Sequence, residues 1–273
     1  MGRKTQTKSI LFLGVLLTMA LVCLSMIQSR ASYIAAALVT LMFVGMTFYF
    51  YKGHSVSTLI RKLGLLIVPL ALTIVINQTF LANRGADAVS RAATISLSTN
   101  DGSVNQRLRY YEDVLTHFSS SPIFGVGLGN WKFKSIDYDK KDITGYVVPY
   151  HAHSDFIQLG AELGFFGFLS YLGIFLLAGL FVFKLLQSTS LTKDQKVFVY
   201  LVTSSLGVYF IDANLNFPIA RPQVLIVWTL LIALILDFHM QQSKKTVPST
   251  KRMFHKSFLG LLLIIAIPTI FIS

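Results

Sequence analysis

Apolar residues in this chain come in blocks of about twenty, and that length constrains the fold more than any other feature. A helix rises about 1.5 Å per residue, so roughly 20 apolar residues cross the hydrocarbon core of a bilayer. Seven blocks approach this length: residues 10–27, 31–51, 63–81, 165–186, 197–215, 223–239 and 257–272. Lipid offers no water to satisfy backbone amides, so the blocks are expected to be helices rather than strands. Only 13% of the residues are charged, against about 25% in an ordinary soluble domain. The fold class expected is therefore all-α integral membrane, with about seven transmembrane helices and one long extracytoplasmic loop.

The charges set the orientation. The formal net charge is +12, which in a soluble protein would raise the question of nucleic acid. Here most Lys and Arg sit in short runs between apolar blocks, as topogenic charge does, and no nucleic-acid partner is expected. Arg3, Lys4 and Lys8 precede the first block, Lys52, Arg61 and Lys62 follow the second, and Lys184, Lys193 and Lys196 lie between the fourth and fifth. These mark the cytoplasmic side. The first block resembles a signal peptide, but its apolar core is too long and no convincing cleavage site follows, so it reads as a retained span. The N-terminus is then cytoplasmic, and the loop after the third span is extracytoplasmic. Three segments follow: 1–81 with three spans, 82–153 as a loop with a membrane-lying helix and a glycine-rich turn, and 154–273 as a bundle of four spans. One cysteine, Cys23, excludes a disulfide framework.

The loop holds the residues that could carry chemistry. From Ser103 to Ser119, Val104, Leu108, Tyr111, Leu115 and Phe118 recur at helical spacing and define one apolar face. At ~100° per residue, Arg107 falls roughly 50° from the centre of that face and Arg109 about 150° away, toward water. Next, Pro122-Ile-Phe-Gly125-Val-Gly127-Leu-Gly129 permits tight turns or an anion nest. Then come His151, His153, Ser154 and Asp155, with Glu162 shortly after. Ser154 is a suitable N-cap for a helix opening at Asp155, which would set His153 beside the positive end of a helix and favour the neutral imidazole. His151 and His153 lack a clear third partner for a metal. Arg30 and Arg221, at the outer ends of the first and fifth spans, breach the preference for few cations outside, and a cation there can hold an anionic headgroup.

In this order the pieces resemble the O-antigen ligase and polymerase family, bacterial membrane enzymes that move glycans off a polyprenyl diphosphate carrier. The resemblance rests on Ser29-Arg30-Ala31, on Arg107 fifteen residues before Pro122, and on the Gly125, Gly127, Gly129 turn. It continues through His151-Ala152-His153-Ser154-Asp155, Gln158 and Glu162-Leu163-Gly164, and closes on Asn216-Phe217-Pro218. Members carry further spans ahead of the Ser-Arg element, so the chain is expected to correspond to their C-terminal half.

The resemblance implies a bacterial inner-membrane location and transfer from a polyprenyl-diphosphate-linked glycan to a lipid-linked core sugar or protein hydroxyl, among membrane lipids. It implies no cofactor and no metal. It gives His153 the part of general base and Arg107 and Arg30 the diphosphate, with Asp155, Glu162, Arg221 and His151 in support. Polymerase activity of the same family, and an inactive truncated fragment, are the alternatives. A transporter component fits less well, because the spans carry almost no charge at their centres.

Overall fold

The structure is a computed structural model that describes residues 3–27, 29–52, 55–81, 102–138 and 150–244. All regular elements among the described residues are helices. Six of these are long and apolar enough to cross a membrane. The seventh predicted span, 257–272, lies outside the described residues, as do 82–101 and 139–149 of the predicted loop. The chain divides into two compact units, Met1–Ser98 and Thr99–Ser273, so the boundary falls within the stretch read above as one loop.

The first unit holds α1 (Arg3–Ile27), α2 (Arg30–Phe50) and α3 (Val56–Ile76), the last continuing as a π-helical turn over Asn77–Leu81. Apolar attraction cannot hold helices together in lipid, where the solvent is equally apolar, so small and polar contacts matter more. One such contact joins α1 to the end of α3: buried Asn77 donates its side-chain amide to Ser25 Oγ at 3.3 Å. The Tyr33 hydroxyl of α2 donates to the Ser25 carbonyl at 3.2 Å. Pro69 sits inside α3, a position lipid-embedded helices tolerate when neighbours re-satisfy the backbone.

The second unit contains α4 (Gly102–Ser120), the short α5 (Trp131–Lys134), α6 (Asp155–Gln187), α7 (Lys193–Leu215) and α8 (Pro222–Lys244). α6, α7 and α8 pack around Phe156, Tyr171, Tyr209 and Trp228, with the Tyr209 and Trp228 rings stacked at 4.9 Å. Thr192 opens α7 through a capping box with Gln195, which satisfies two orphan amides reciprocally.

α6 is not one continuous helix. Gly164 has φ 68 and ψ −161, a backbone that L side chains avoid. It separates a short leading segment that starts at Asp155 from the stretch that begins at Phe165, where the sequence places its fourth span. The turn from Pro122 to Gly129 docks at this break. Val126 N donates to the Ala161 carbonyl at 3.1 Å, Gly127 N to that of Glu162 at 2.8 Å, and Phe165 N to that of Pro122 at 2.8 Å. The glycine-rich turn is thus a cap for the end of a helix. Two of its amides are spent on carbonyls, which removes them from an anion nest. A Cβ on Gly125 would collide with the Ala161 carbonyl, and one on Gly164 with that of Ile123.

α4 packs against α6 and encloses the stretch 103–119, but its buried stripe is Tyr110, Val114 and His117. Leu108 and Leu115, from the predicted apolar face, are 47% and 67% exposed. The face that packs on protein is turned about one residue, ~100°, from the one that hydrophobicity marks. Arg109 is half-buried, and its Nη1 donates to Asn105 at 3.1 Å in an exposed pair.

Gly164→Ala should cost about 2 kcal/mol or more, combining a left-handed backbone with a backbone collision. The check is a lower midpoint of thermal unfolding for the purified protein in detergent, with Gly14→Ala, which meets nothing within 4 Å, unchanged.

Candidate functional site

Residues 150–154 lead into α6 and carry both histidines. Ser154 occupies the N-cap position with φ −159 and ψ 121, but its hydroxyl makes no capping bond. The cap expected from its residue type is therefore absent, and Ser154 is buried instead. His153 has φ 55, a left-handed conformation that histidine tolerates better than most residues.

Phe217, in the turn between α7 and α8, touches both imidazoles. The His151 ring stacks on it at 4.1 Å with an interplanar angle of 15°. The His153 ring meets it at 5.4 Å and 72°, close to edge-on. His153 also stacks on Tyr110 at 6.0 Å and 12°. The Tyr111 hydroxyl lies 3.2 Å from the His153 carbonyl and 3.3 Å from that of Asn214. One hydroxyl hydrogen is shared between two acceptors, tying α4 to the entry of α6 and to α7.

Arg107 lies one turn before Tyr110 on α4 and is half-buried. Its charge acts on His153. The His153 imidazole is held below its ordinary pKa, first by burial, then by the Arg107 guanidinium and then by His151. Each cause disfavours a second cation, so the neutral ring prevails at pH 7. The His153 Nδ1 is buried and has no hydrogen-bond partner among the described residues.

Asp155 is fully buried. Its Oδ2 accepts from the Tyr171 hydroxyl at 3.1 Å and from Ile219 N at 3.1 Å. Its partners are therefore a span residue and the 3₁₀ turn Pro218–Ala220, not His153. It fastens the turn that carries Phe217 and so acts on the histidines at one remove. Arg221 is exposed, lies over the Phe217 ring at 5.0 Å and reaches the Asp212 carboxylate at 4.0 Å, a weak surface pair.

Glu162 groups with His151 rather than His153. The Gln158 side chain links them: its Oε1 stands 3.2 Å from His151 Nδ1 and accepts from Ala152 N at 3.3 Å, while its Nε2 donates to Glu162 Oε1 at 3.1 Å. These residues line a cavity of about 220 Å³ with Gly129, Lys132 and Tyr150. Arg30 belongs to the first unit, where it is half-buried and opens α2 after Ser29. A cation gains nothing from the positive end of a helix, so α2 itself does not explain Arg30. Among the described residues no three of His, Cys, Asp and Glu are grouped to hold a metal ion.

Tyr110, Tyr111 and Phe217 shape the site, yet sequence reasoning gave them no role. Phe217 lies inside the Asn-Phe-Pro motif, which was the available signal. Tyr110 gave none, because it falls off the apolar face of its helix.

A family model described as O-antigen ligase matches residues 14–172, more than half of the chain. The match takes in Arg30, Arg107, His151, His153, Asp155 and Glu162 and ends before Arg221. No curated protein and no solved structure gives a match.

The lowered His153 pKa has a measurable sign. Its stability contribution is full above the unfolded value near pH ~6.5 and is lost as pH falls from there through the folded value. Nitrogen-15 histidine NMR should show His153 titrating below the ordinary range, and Arg107→Ala should move it upward. An unmoved titration would mean that the guanidinium does not act on the ring.

Proposed function

The chain belongs to the O-antigen ligase family, and from that premise we propose that it transfers a glycan from a polyprenyl diphosphate to a hydroxyl of a lipid-linked core sugar. The reaction takes place on the extracytoplasmic face of the bacterial inner membrane. The N-terminus is cytoplasmic. The positive runs between spans support this orientation, and the family match supports transfer of the ligase or polymerase type.

The chemistry is displacement at an anomeric carbon. The acceptor oxygen bonds to that carbon as the bond to the diphosphate oxygen breaks. The acceptor proton goes to His153, and the diphosphate departs with the electron pair. A base in this role must be neutral and free to take a proton. The leaving group needs a cation that keeps its charge at every working pH and grips two oxygens together, which guanidinium does. The observation that carries the reading is a half-buried His153 whose Nδ1 has no hydrogen-bond partner among the described residues, stacked on Tyr110 with Arg107 one turn earlier on the same helix. The cation that favours the neutral base is the one offered to the diphosphate. Asp155 supports the pair by fastening the Phe217 turn. The part given to Arg30 rests on the resemblance of its motif alone.

Expression in a bacterium lacking its own O-antigen ligase tests the reading. A ladder of glycan-bearing lipid on a gel is expected, and its absence with the protein in the membrane would sink the proposal. His153→Asn, which keeps a residue suited to the left-handed backbone, should slow transfer about 10²–10⁴-fold. Arg107→Lys should weaken donor binding, since a point charge does not replace a bidentate grip; an unchanged donor KM would remove Arg107 from the site.

A further inference from the structure

Large apolar side chains stand exposed on both sides of the break in α6. In the turn bonded to it, Ile123 is 51% exposed and Phe124 82%, and just past it Phe165 and Phe166 are 48% and 64% exposed. The Phe165 amide donates to the Pro122 carbonyl at 2.8 Å, and the Ile123 carbonyl lies against Gly164, so the two pairs adjoin. A contiguous apolar surface of this kind marks contact with lipid or protein.

Helix geometry gives the patch its height. From Phe165 to Lys184 α6 rises about 29 Å, close to the ~30 Å of hydrocarbon that a span crosses. Lys184 belongs at the polar boundary of one leaflet, which puts Phe165 at the hydrocarbon boundary of the other. Pro122, one hydrogen bond away, is held at the same level. The backbone of the turn suits that level, where lipid offers no partners. Pro122 has no N–H, and its carbonyl is taken by Phe165. Val126 and Gly127 donate to α6, and their own carbonyls accept from Asn130. Charges on α5 limit the depth farther along. Lys132 Nζ lies 5.1 Å from the centre of the exposed Phe133 ring, and Lys134 pairs with Asp137 at 2.7 Å. Rings and lysine heads sit together in this way among headgroups.

We infer that the turn carrying Ile123 and Phe124 is a wedge seated in the adjoining leaflet, its side chains covered by lipid acyl chains, with Phe133 resting shallower among the headgroups. The turn that clamps the leading segment of α6 is then itself anchored in the bilayer. The inference follows from the span and not from the transfer reaction.

Cys23→Ser removes the sole cysteine. In that background a nitroxide is attached at Phe124→Cys or Phe133→Cys, both exposed positions, and the full chain is reconstituted into vesicles of phosphatidylethanolamine and phosphatidylglycerol. Leu176→Cys, 60% exposed within the span, and Thr189→Cys, exposed in the turn after α6, give the hydrocarbon and water references. Power saturation compares collision with oxygen, which concentrates in lipid, and with a water-soluble nickel chelate. The Phe124 label should favour oxygen and lie ~5–10 Å into the boundary between headgroups and acyl chains. The Phe133 label should lie between those at Phe124 and Thr189. A Phe124 label as open to nickel as the one at Thr189 overturns the wedge. A label shielded from both reagents shows that protein covers the patch, a second copy of the chain where labels also broaden one another, and this too overturns it. Failure of the glycan ladder would leave these depths unchanged.

Discussion

The second unit depends on the break at Gly164. A helix that stops leaves carbonyls without partners, and a buried end must find donors elsewhere. The turn after Pro122 supplies them through Val126 and Gly127, and Phe165 returns a bond to Pro122. Two distant stretches of chain complete each other's backbone, and glycine at 125 and 164 is what lets them approach. The leading segment of α6 is thereby fixed in place, with the histidine turn at one end and Glu162 at the other.

A second tie holds the opposite wall. The Asp155 carboxylate binds the turn between α7 and α8 through Ile219 N, and that turn presents Phe217 to both imidazoles. Tyr111 adds a hydroxyl shared between carbonyls on either side. Residues that touch the histidines thus come from α4, from the approach to α6 and from the α7–α8 turn. Each is held by hydrogen bonds made in a protected setting, where they are strongest.

Much of this was legible in the residues, for physical reasons. Blocks near twenty apolar residues reported the spans because hydrocarbon thickness leaves few other solutions. The fourth block, read from Phe165, starts one residue after the break at Gly164, within a candidate span of Asp155–Gln187. The packed face of α4 was not legible. Hydrophobicity along one helix marks its apolar residues but does not say which of them another element covers. Leu108 and Leu115 accordingly stand exposed while Tyr110, Val114 and His117 are covered. The division between His153 with Arg107 and His151 with Glu162 was equally hidden. Alternate residues of one turn meet a single ring, Phe217, one stacked and one close to edge-on, and that ring lies some sixty positions away in the chain. The role of the glycine turn was open in the sequence because the same spacing suits a nest and a helix cap.

The two-part build of α6 also bears on how the bilayer is felt. From Asp155 to Leu163 the leading segment is about 13 Å long, so it is a lever with the histidine turn at its far end. In a continuous helix any tilt adopted to suit membrane thickness would be amplified along that arm. The Gly164 joint interrupts the shaft, and the Pro122 turn clamps the arm beside it. A site assembled in this way takes its alignment from its own loops, and the same geometry can persist in bilayers of different thickness.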